Sequence, residues 1–591
     1  MLRGNFQVLK YGLGVTALVS GFLLLAFLLW PYVELQLLFR QFEAEKDWLL
    51  PWNSFTGRYG FSKAAYVAVK VDLAIILLSS LLGLYKLHHG TARQFLHSLS
   101  PVKPIAFFWQ KLKQTWQCLP LPEKWIVGIT GLTLLVVRTY FLFTMRIGQD
   151  EAATYMLFLT KGPPGIIFYY PLPNNHIFYN LLCLPLHYLF SDPYWVVQLP
   201  VYFISIISTV VIYLALRSFL PFAAVYLAVS GFSFSYMALF YSVHGRGYFL
   251  VAVCSALAAI ALIKILERKE DIYWLVFLVC TIAGFYTVPV FLYPFVAMLL
   301  FAIKVFVHEN DRYSLGRLAL VTFFAGFATI LLYLPVLMGS GFKLLFFNDY
   351  VSRMPMTAFF QNLPGKMAHM QGAILGQETV GFYLWLLAIA GITFLLVFPH
   401  PGEKIIRKAG LHTSELFLVW CGSVLPWVML VLQRVSPPER VFFFKSFFDF
   451  LAIGLAVYLA GFYLLKRRKQ FWYGIAGGWL LLFGAYEVTK QVRAERSIAV
   501  LDERFDDRLQ AIRQTNARKI FATDIYYSGY LRYEYFKHGV PHFIIDEHRF
   551  EPTRNYDLLI LNRRRDSIPG LNLSAYNLWF QDSIVKIYLR K

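Results

Sequence analysis

Residues 195–216 read WVVQLPVYFISIISTVVIYLAL, a run with no charged side chain that is long enough to cross a bilayer as one helix. Similar runs recur along most of the chain. By the length criterion about 13 spans are expected, at approximately 11–38, 63–86, 124–145, 195–216, 220–243, 247–266, 272–290, 292–308, 317–338, 379–398, 412–432, 441–465 and 471–488. Composition agrees: 15% of residues are charged, where a soluble domain carries roughly a quarter. The expected fold is a polytopic α-helical membrane protein with a small C-terminal α/β extracytoplasmic domain. It divides into two extra N-terminal helices with a basic linker (1–123), a transmembrane core with external loop helices (124–490) and the α/β domain (491–591). The first run is too long for a signal peptide and has no small-residue cleavage site, so it reads as a retained span.

The formal charge of +21 raises the question of nucleic acid. The cations, however, collect in short loops, where they set membrane orientation instead. Lys86, Arg93, Lys103, Lys111, Lys113 and Lys124 face one acid, Glu123. Arg217, Lys264-Arg268-Lys269, Lys404-Arg407-Lys408 and Lys466-Arg467-Arg468-Lys469 follow. With the amino terminus inside, all of these fall on the cytoplasmic face. The expected partner is therefore the lipid bilayer, and no nucleic acid. Cys118, Cys183, Cys254, Cys280 and Cys421 are scattered and imply neither disulfides nor a zinc site.

The opposite face receives the loop from Arg146 to about Pro193, the turn at His244-Gly245-Arg246, the loop Gly339 to Gln377 and the turn Gln433 to Arg440. Residues His176 to Phe190 are apolar but too short to span, and read as an interfacial helix.

Three motifs on that face carry chemistry. Gly148-Gln149-Asp150-Glu151 puts two acids at a membrane boundary, which is costly unless they are hydrated, paired or used. The same pair also fits a helix cap by Asp150 with Glu151 in the first turn. Tyr241-Ser242-Val243-His244-Gly245-Arg246-Gly247-Tyr248 sets a guanidinium between two glycines, suited to a lipid phosphate or to snorkelling. Gln433-Arg434-Val435-Ser436-Pro437-Pro438-Glu439-Arg440 puts two arginines against the positive-inside trend. Lys445 and Asp449 are four apart and read as a helix-face pair. Arg138, in mid-span, is either a structural partner for an acid or part of the cationic cluster. Together an acid pair and outer arginines suit a glycosyl transfer whose leaving group is a lipid phosphate. One carboxylate then suffices as base, because phosphate departs without a general acid, and cations stabilise its developing charge.

On these residues the chain resembles the GT-C superfamily of polyprenyl-phosphate-sugar transferases, nearest to protein O-mannosyltransferases and lipid A aminoarabinose transferases. Asp150-Glu151 matches their early acid pair. Asn174-Asn175-His176-Ile177-Phe178-Tyr179 is similar to their His-Pro-Pro-Leu-Tyr stretch without its prolines. Tyr241 to Tyr248 and Pro437 to Phe442 match two later segments. The resemblance covers roughly residues 124 to 470. It implies an inverting hexosyl or pentosyl transferase in a bacterial plasma membrane, facing outward, with an undecaprenyl-type donor. It gives Asp150 as base and Glu151 as an orienting group, with Arg246, Arg440, Arg434 and His244 on the donor phosphate. His176, Asn175 and Tyr155 would meet substrate, which is a protein, lipid or glycan acceptor. The resemblance specifies no resident cofactor and leaves a divalent metal open; some relatives hold one, which if present here would fall to Asp150 and Glu151.

The alternatives are a transporter or flippase of lipid-linked saccharides and a ligase or polymerase using diphosphate-linked glycans. The absence of a clear repeat disfavours the first, and the early acid pair disfavours the second. In the tail, Ile498 to Gln514 reads as helix. Lys519 to Thr523, His542 to Ile545, Asp557 to Leu561 and Ile584 to Leu589 read as strands. Arg563-Arg564-Arg565 reads as a solvated turn, and Met354, Met356, Met367 and Met370 as packing residues of the long loop.

Overall fold

Apolar length decides which segments become long helices in the computed structural model. It describes residues 2–49, 62–87, 102–171, 173–268, 270–342, 345, 352–376, 378–464, 469–547, 550–563, 568, 570–582 and 584–591. Among these, 10 helices are long and apolar enough to cross a membrane. They are Phe6–Leu29, Lys63–Lys86, Leu121–Thr144, Pro193–Arg217, Tyr248–Glu267, Pro289–His308, Arg312–Gly339, Thr379–Val397, Thr413–Gln433 and Lys445–Tyr463. The chain is a polytopic helical membrane protein with a small C-terminal sheet.

The other three expected spans exist as shorter pieces, each for a local reason. The run 220–243 is interrupted at Ser235, whose extended backbone ends Phe222–Phe234 and whose hydroxyl caps Tyr236–Tyr241. The run 272–290 stops at Thr287, just before Pro289. The run 471–488 is Lys469–Trp479 followed by a π-helical turn, Leu480–Gly484, that leads into Ala485–Gln514. The first run, 11–38, is broken as well: Pro31 separates Leu2–Leu29 from Tyr32–Leu49. The interfacial reading of 176–190 corresponds to the helix Ile177–His187. The clusters around Arg93, Arg467 and Arg564 lie outside the described residues.

Two buried polar centres hold the helices together. Arg138 is fully buried and, among the described residues, pairs with no acid, contrary to one of the two sequence readings; it donates to the Ser205 carbonyl at 2.8 Å and to the Ser233 carbonyl at 3.3 Å. Ser233 O belongs to the last turn of Phe222–Phe234, so the guanidinium satisfies a carbonyl that the break at Ser235 leaves free. Arg138 is thus the mid-membrane partner of a broken helix and stands apart from the outer arginines.

Lys445 Nζ lies 2.8 Å from both Asp449 oxygens and 2.7 Å from Gln371 Oε1. Gln371 Nε2 and the Ser423 hydroxyl complete the Asp449 carboxylate, and Trp385 donates to Ser423. The pair expected from sequence is therefore a closed network across four helices. Lys445→Ala is expected to destabilise the fold by about 3–5 kcal/mol, because it strands a buried carboxylate. The midpoint of unfolding in detergent reads it. Lys445→Met combined with Asp449→Leu should recover part of the loss; a double variant as unstable as the single one would mean that packing, not charge, is what Lys445 supplies.

The loop from Gly339 contains the helix Met356–Leu375, with Met370 fully buried and Met356 exposed. In the C-terminal region the strands are β1 (Lys519–Ala522), β2 (Ile544–Asp546), β3 (Leu558–Asn562), β4 (Tyr576–Gln581) and β5 (Val585–Arg590), in sheet order β2-β1-β3-β5-β4. The first three are parallel and the last two antiparallel. Ile520, Phe521, Ala522, Leu558, Leu559 and Ile560 are all buried, which gives the continuous apolar runs of a sheet covered on both faces. β4 and the crossover helix Ile525–Lys537 are additions to the sequence reading.

Candidate functional site

The span Leu121–Thr144 ends at Met145, whose extended backbone turns the chain into a new helix, Gln149–Leu157. Gly148 is its N-cap, and Glu151 reaches back to accept the Gly148 N–H at 2.6 Å. The capping role that the sequence left open for Asp150 falls to Glu151. Asp150 is thereby released into the first turn.

Glu151 is fully buried. Its Oε1 accepts the Gly245 N–H, and its Oε2 lies 3.0 Å from His244 Nδ1. Burial pushes the carboxyl up to about 8, against the two backbone N–H groups that favour the anion. Burial and the Arg246 charge push His244 down to about 3. Burial thus works against charge on both partners, and the pair fastens the acid helix to the His244–Arg246 turn. Both glycines are required by close approach. A Cβ on Gly245 would meet the Val197 carbonyl at 2.3 Å, and one on Gly148 would meet His244 at 2.3 Å.

Arg246 is buried. Its Nη1 donates to Thr154 Oγ1 at 2.7 Å and to the Asp150 carbonyl at 3.2 Å, while Nη2 donates to Asn174 Oδ1. His176 Nδ1 accepts the Gly247 N–H at 2.8 Å, and burial, followed by the Arg246 charge, drives its pKa well down. A neutral ring accepting at Nδ1 keeps its proton on Nε2. The 3.4 Å approach of Nε2 to Arg246 Nη2 therefore sets two donors face to face and is no hydrogen bond. Arg246 Nε is buried without a protein partner among the described residues.

Arg440 approaches from the turn Glu439–Phe442, its Nη2 3.9 Å from Asp150 Oδ2. Both side chains are open to solvent, 38% and 45% exposed, so a ligand can reach the gap between them. Burial works to raise the Asp150 carboxyl, but the charges of Arg246 and Arg440 outweigh it and hold the group below the ordinary carboxylate range. Arg440 Nε has no protein partner among the described residues. The turn itself is held by Glu439, which lies 3.3 Å from Lys366 and 3.5 Å from His369 on Met356–Leu375.

Asp150, Glu151, His176, His244, Arg246 and Arg440 thus converge. Other expected residues do other things. Asn175 Nδ2 donates to the Ile166 and Tyr169 carbonyls and holds the loop in shape. Tyr155 is buried with its ring edge-on to His187 at 5.4 Å. Arg434 adopts a left-handed backbone as a helix C-cap, and its carbonyl accepts the Met354 N–H at 2.9 Å. No described contact brings its side chain to Asp150. Asn174 and Thr154 were missed, although Thr154 stands four residues after Asp150 on the same helix face. Neither carboxylate offers a metal cage: Glu151's oxygens are taken by two N–H groups and His244, and Asp150 faces guanidinium groups. Among the described residues no three His, Cys, Asp or Glu side chains cluster as ligands.

The C-terminal region touches this site. Gln149 Nε2 donates to the Tyr526 carbonyl at 3.0 Å, Tyr530 to the Ile147 carbonyl at 2.9 Å, and Arg146 pairs with Asp506 at 2.9 Å.

No protein-family description matches the chain, and no curated protein matches it by sequence. Solved structures that it resembles include ArnT from Cupriavidus metallidurans bound to undecaprenyl phosphate. That likeness has 11% identity and a TM-score of 0.48, and covers 79% of this chain and 98% of that one. The apo state of the same ArnT gives 12% identity and a TM-score of 0.49, over 78% and 97% of the two chains. The arabinosyltransferase EmbB from Mycobacterium smegmatis gives 12% identity and a TM-score of 0.37, over 67% of this chain and 34% of that one.

Proposed function

We propose that this chain is a membrane glycosyltransferase of the GT-C type, which moves a sugar from a polyprenyl-phosphate donor to an acceptor hydroxyl. The observation that carries the reading is the open gap between the Asp150 carboxylate and the Arg440 guanidinium at the end of a membrane span. Asp150 takes the proton of the acceptor hydroxyl as its oxygen attacks the anomeric carbon. The bond to the phosphate oxygen breaks on the opposite side, so the configuration inverts. The polyprenyl phosphate leaves with the bonding electrons, and Arg440 stabilises its charge. Arg246 sits one layer deeper and holds Asp150, Thr154 and Asn174 in place. Glu151 and His244 lock the two loops together.

The face follows from charge. Asp150, with Arg440 beside it, follows the end of Leu121–Thr144 opposite Glu123 and its partner Arg217, and short basic loops stay in the cytoplasm. The site therefore opens to the extracytoplasmic side.

A lipid extract of the purified protein, read by mass spectrometry, tests the donor class. A polyprenyl phosphate is expected to accompany the wild type and to be depleted in Arg440→Ala. An extract free of polyprenyl phosphate, from protein that also fails to bind added lipid, would exclude the reading.

A further inference from the structure

The span that leads into the acid pair begins near a cavity at the opposite end of the helix bundle. Leu121–Thr144 has 24 residues, about 36 Å of helix, so its start lies a bilayer's thickness from Asp150. At that end a cavity of about 300 Å³ opens between the helix Val102–Cys118, the last turns of Pro193–Arg217 and Tyr248–Arg268, and Tyr273.

Every charged side chain lining this cavity is cationic: Lys111, Arg217 and Lys264. Their acids stand outside the lining. Glu270 is 3.4 Å from Lys111, Glu123 is 2.7 Å from Arg217, and Glu267 is 2.8 Å from Lys264. Gln114, Thr115 and Ser218 add neutral hydrogen-bonding groups to the wall. Val102–Cys118 turns Lys111 and Thr115 inward, while Ile105 and Trp109 stay 67% and 66% exposed. An amphipathic helix with an exposed Ile/Trp flank rests at the lipid interface, so the cavity lies at headgroup depth.

We propose that this cavity binds the headgroup of an anionic phospholipid from the leaflet opposite the acid pair. The three cations receive the phosphate and the neutral groups its polar substituent. The lipid-facing flank of Val102–Cys118 leaves room for the acyl chains, which favours a lipid over a free anion. Anionic lipids concentrate in the cytoplasmic leaflet, where the charge pattern puts this end.

The test uses the full chain in nanodiscs of phosphatidylcholine with a minority of phosphatidylglycerol, followed by detergent exchange and native mass spectrometry. Wild type is expected to retain phosphatidylglycerol. Lys111→Glu, which reverses a charge, and Thr115→Phe, which fills the space, should each retain about tenfold less. If one variant fails to fold, the other decides. Unchanged retention in the folded variants, equal retention of phosphatidylcholine, or displacement of the lipid by inorganic phosphate would each overturn the proposal.

Discussion

Asp150→Asn is expected to slow transfer by about 10²–10⁴-fold, the usual contribution of a positioned general base. The folded protein should scarcely change. The described side-chain partner of Asp150 is Arg440 at 3.9 Å, and both are open to solvent, an arrangement worth about 0–1 kcal/mol. The backbone carbonyl that Arg246 holds survives the substitution. A rate assay beside a detergent melting curve separates the two effects; wild-type turnover would remove Asp150 from the role of base. The acid limb gives a second reading. A base works while ionised, and Asp150 is held below its ordinary range, so activity should persist as pH falls to about 4. Glu151 behaves in the opposite sense. It is neutral below about 8 and becomes a buried anion above it, so a decline on the alkaline side is expected that Glu151→Gln removes. Activity lost instead between about pH 6 and 7 would point to a histidine.

The convergence of Asp150 with Arg246 and Arg440 was legible because charge near a membrane needs a reason. Each of these residues interrupts or borders an apolar run, and the loop alternation puts all three on one face. Roles within the cluster were harder to see. Asp150 and Glu151 are neighbours with the same chemistry, and which one caps the helix depends on Gly148 being the N-cap, a matter of one residue of register. Asn174 and Asn175 pose the same problem: adjacent side chains diverge, one toward Arg246 and the other toward the Ile166 carbonyl. Helix breaks escaped a length criterion for a related reason. Hydropathy reads through Ser235 without a signal, while the compensating group, Arg138, lies about 95 residues away in sequence. The tail was readable where strands are buried on both faces. β4 was not, since Leu578 and Trp579 are exposed and the strand sits at an edge.

Arg440→Ala and Arg246→Ala are expected to fail in different ways, and the contrast tests which guanidinium meets the phosphate. Arg440 is partly exposed, and its buried Nε has no protein partner among the described residues. Its loss should lower kcat/KM for the donor by about 10²–10³-fold while the melting curve stays in place. Arg440→Lys should recover part of that loss, because a point charge still attracts phosphate but cannot grip two oxygens. Arg246 is buried, and its Nη atoms are committed to Thr154, Asn174 and the Asp150 carbonyl. Arg246→Ala removes those donors from buried acceptors, at about 1–3 kcal/mol for each group left unsatisfied. It should lower the melting midpoint and impair donor and acceptor use together, and lysine, lacking the fork, should not rescue it. A folded Arg246→Ala protein with a defect confined to the donor, beside a silent Arg440→Ala, would exchange the two assignments and put the phosphate one layer deeper.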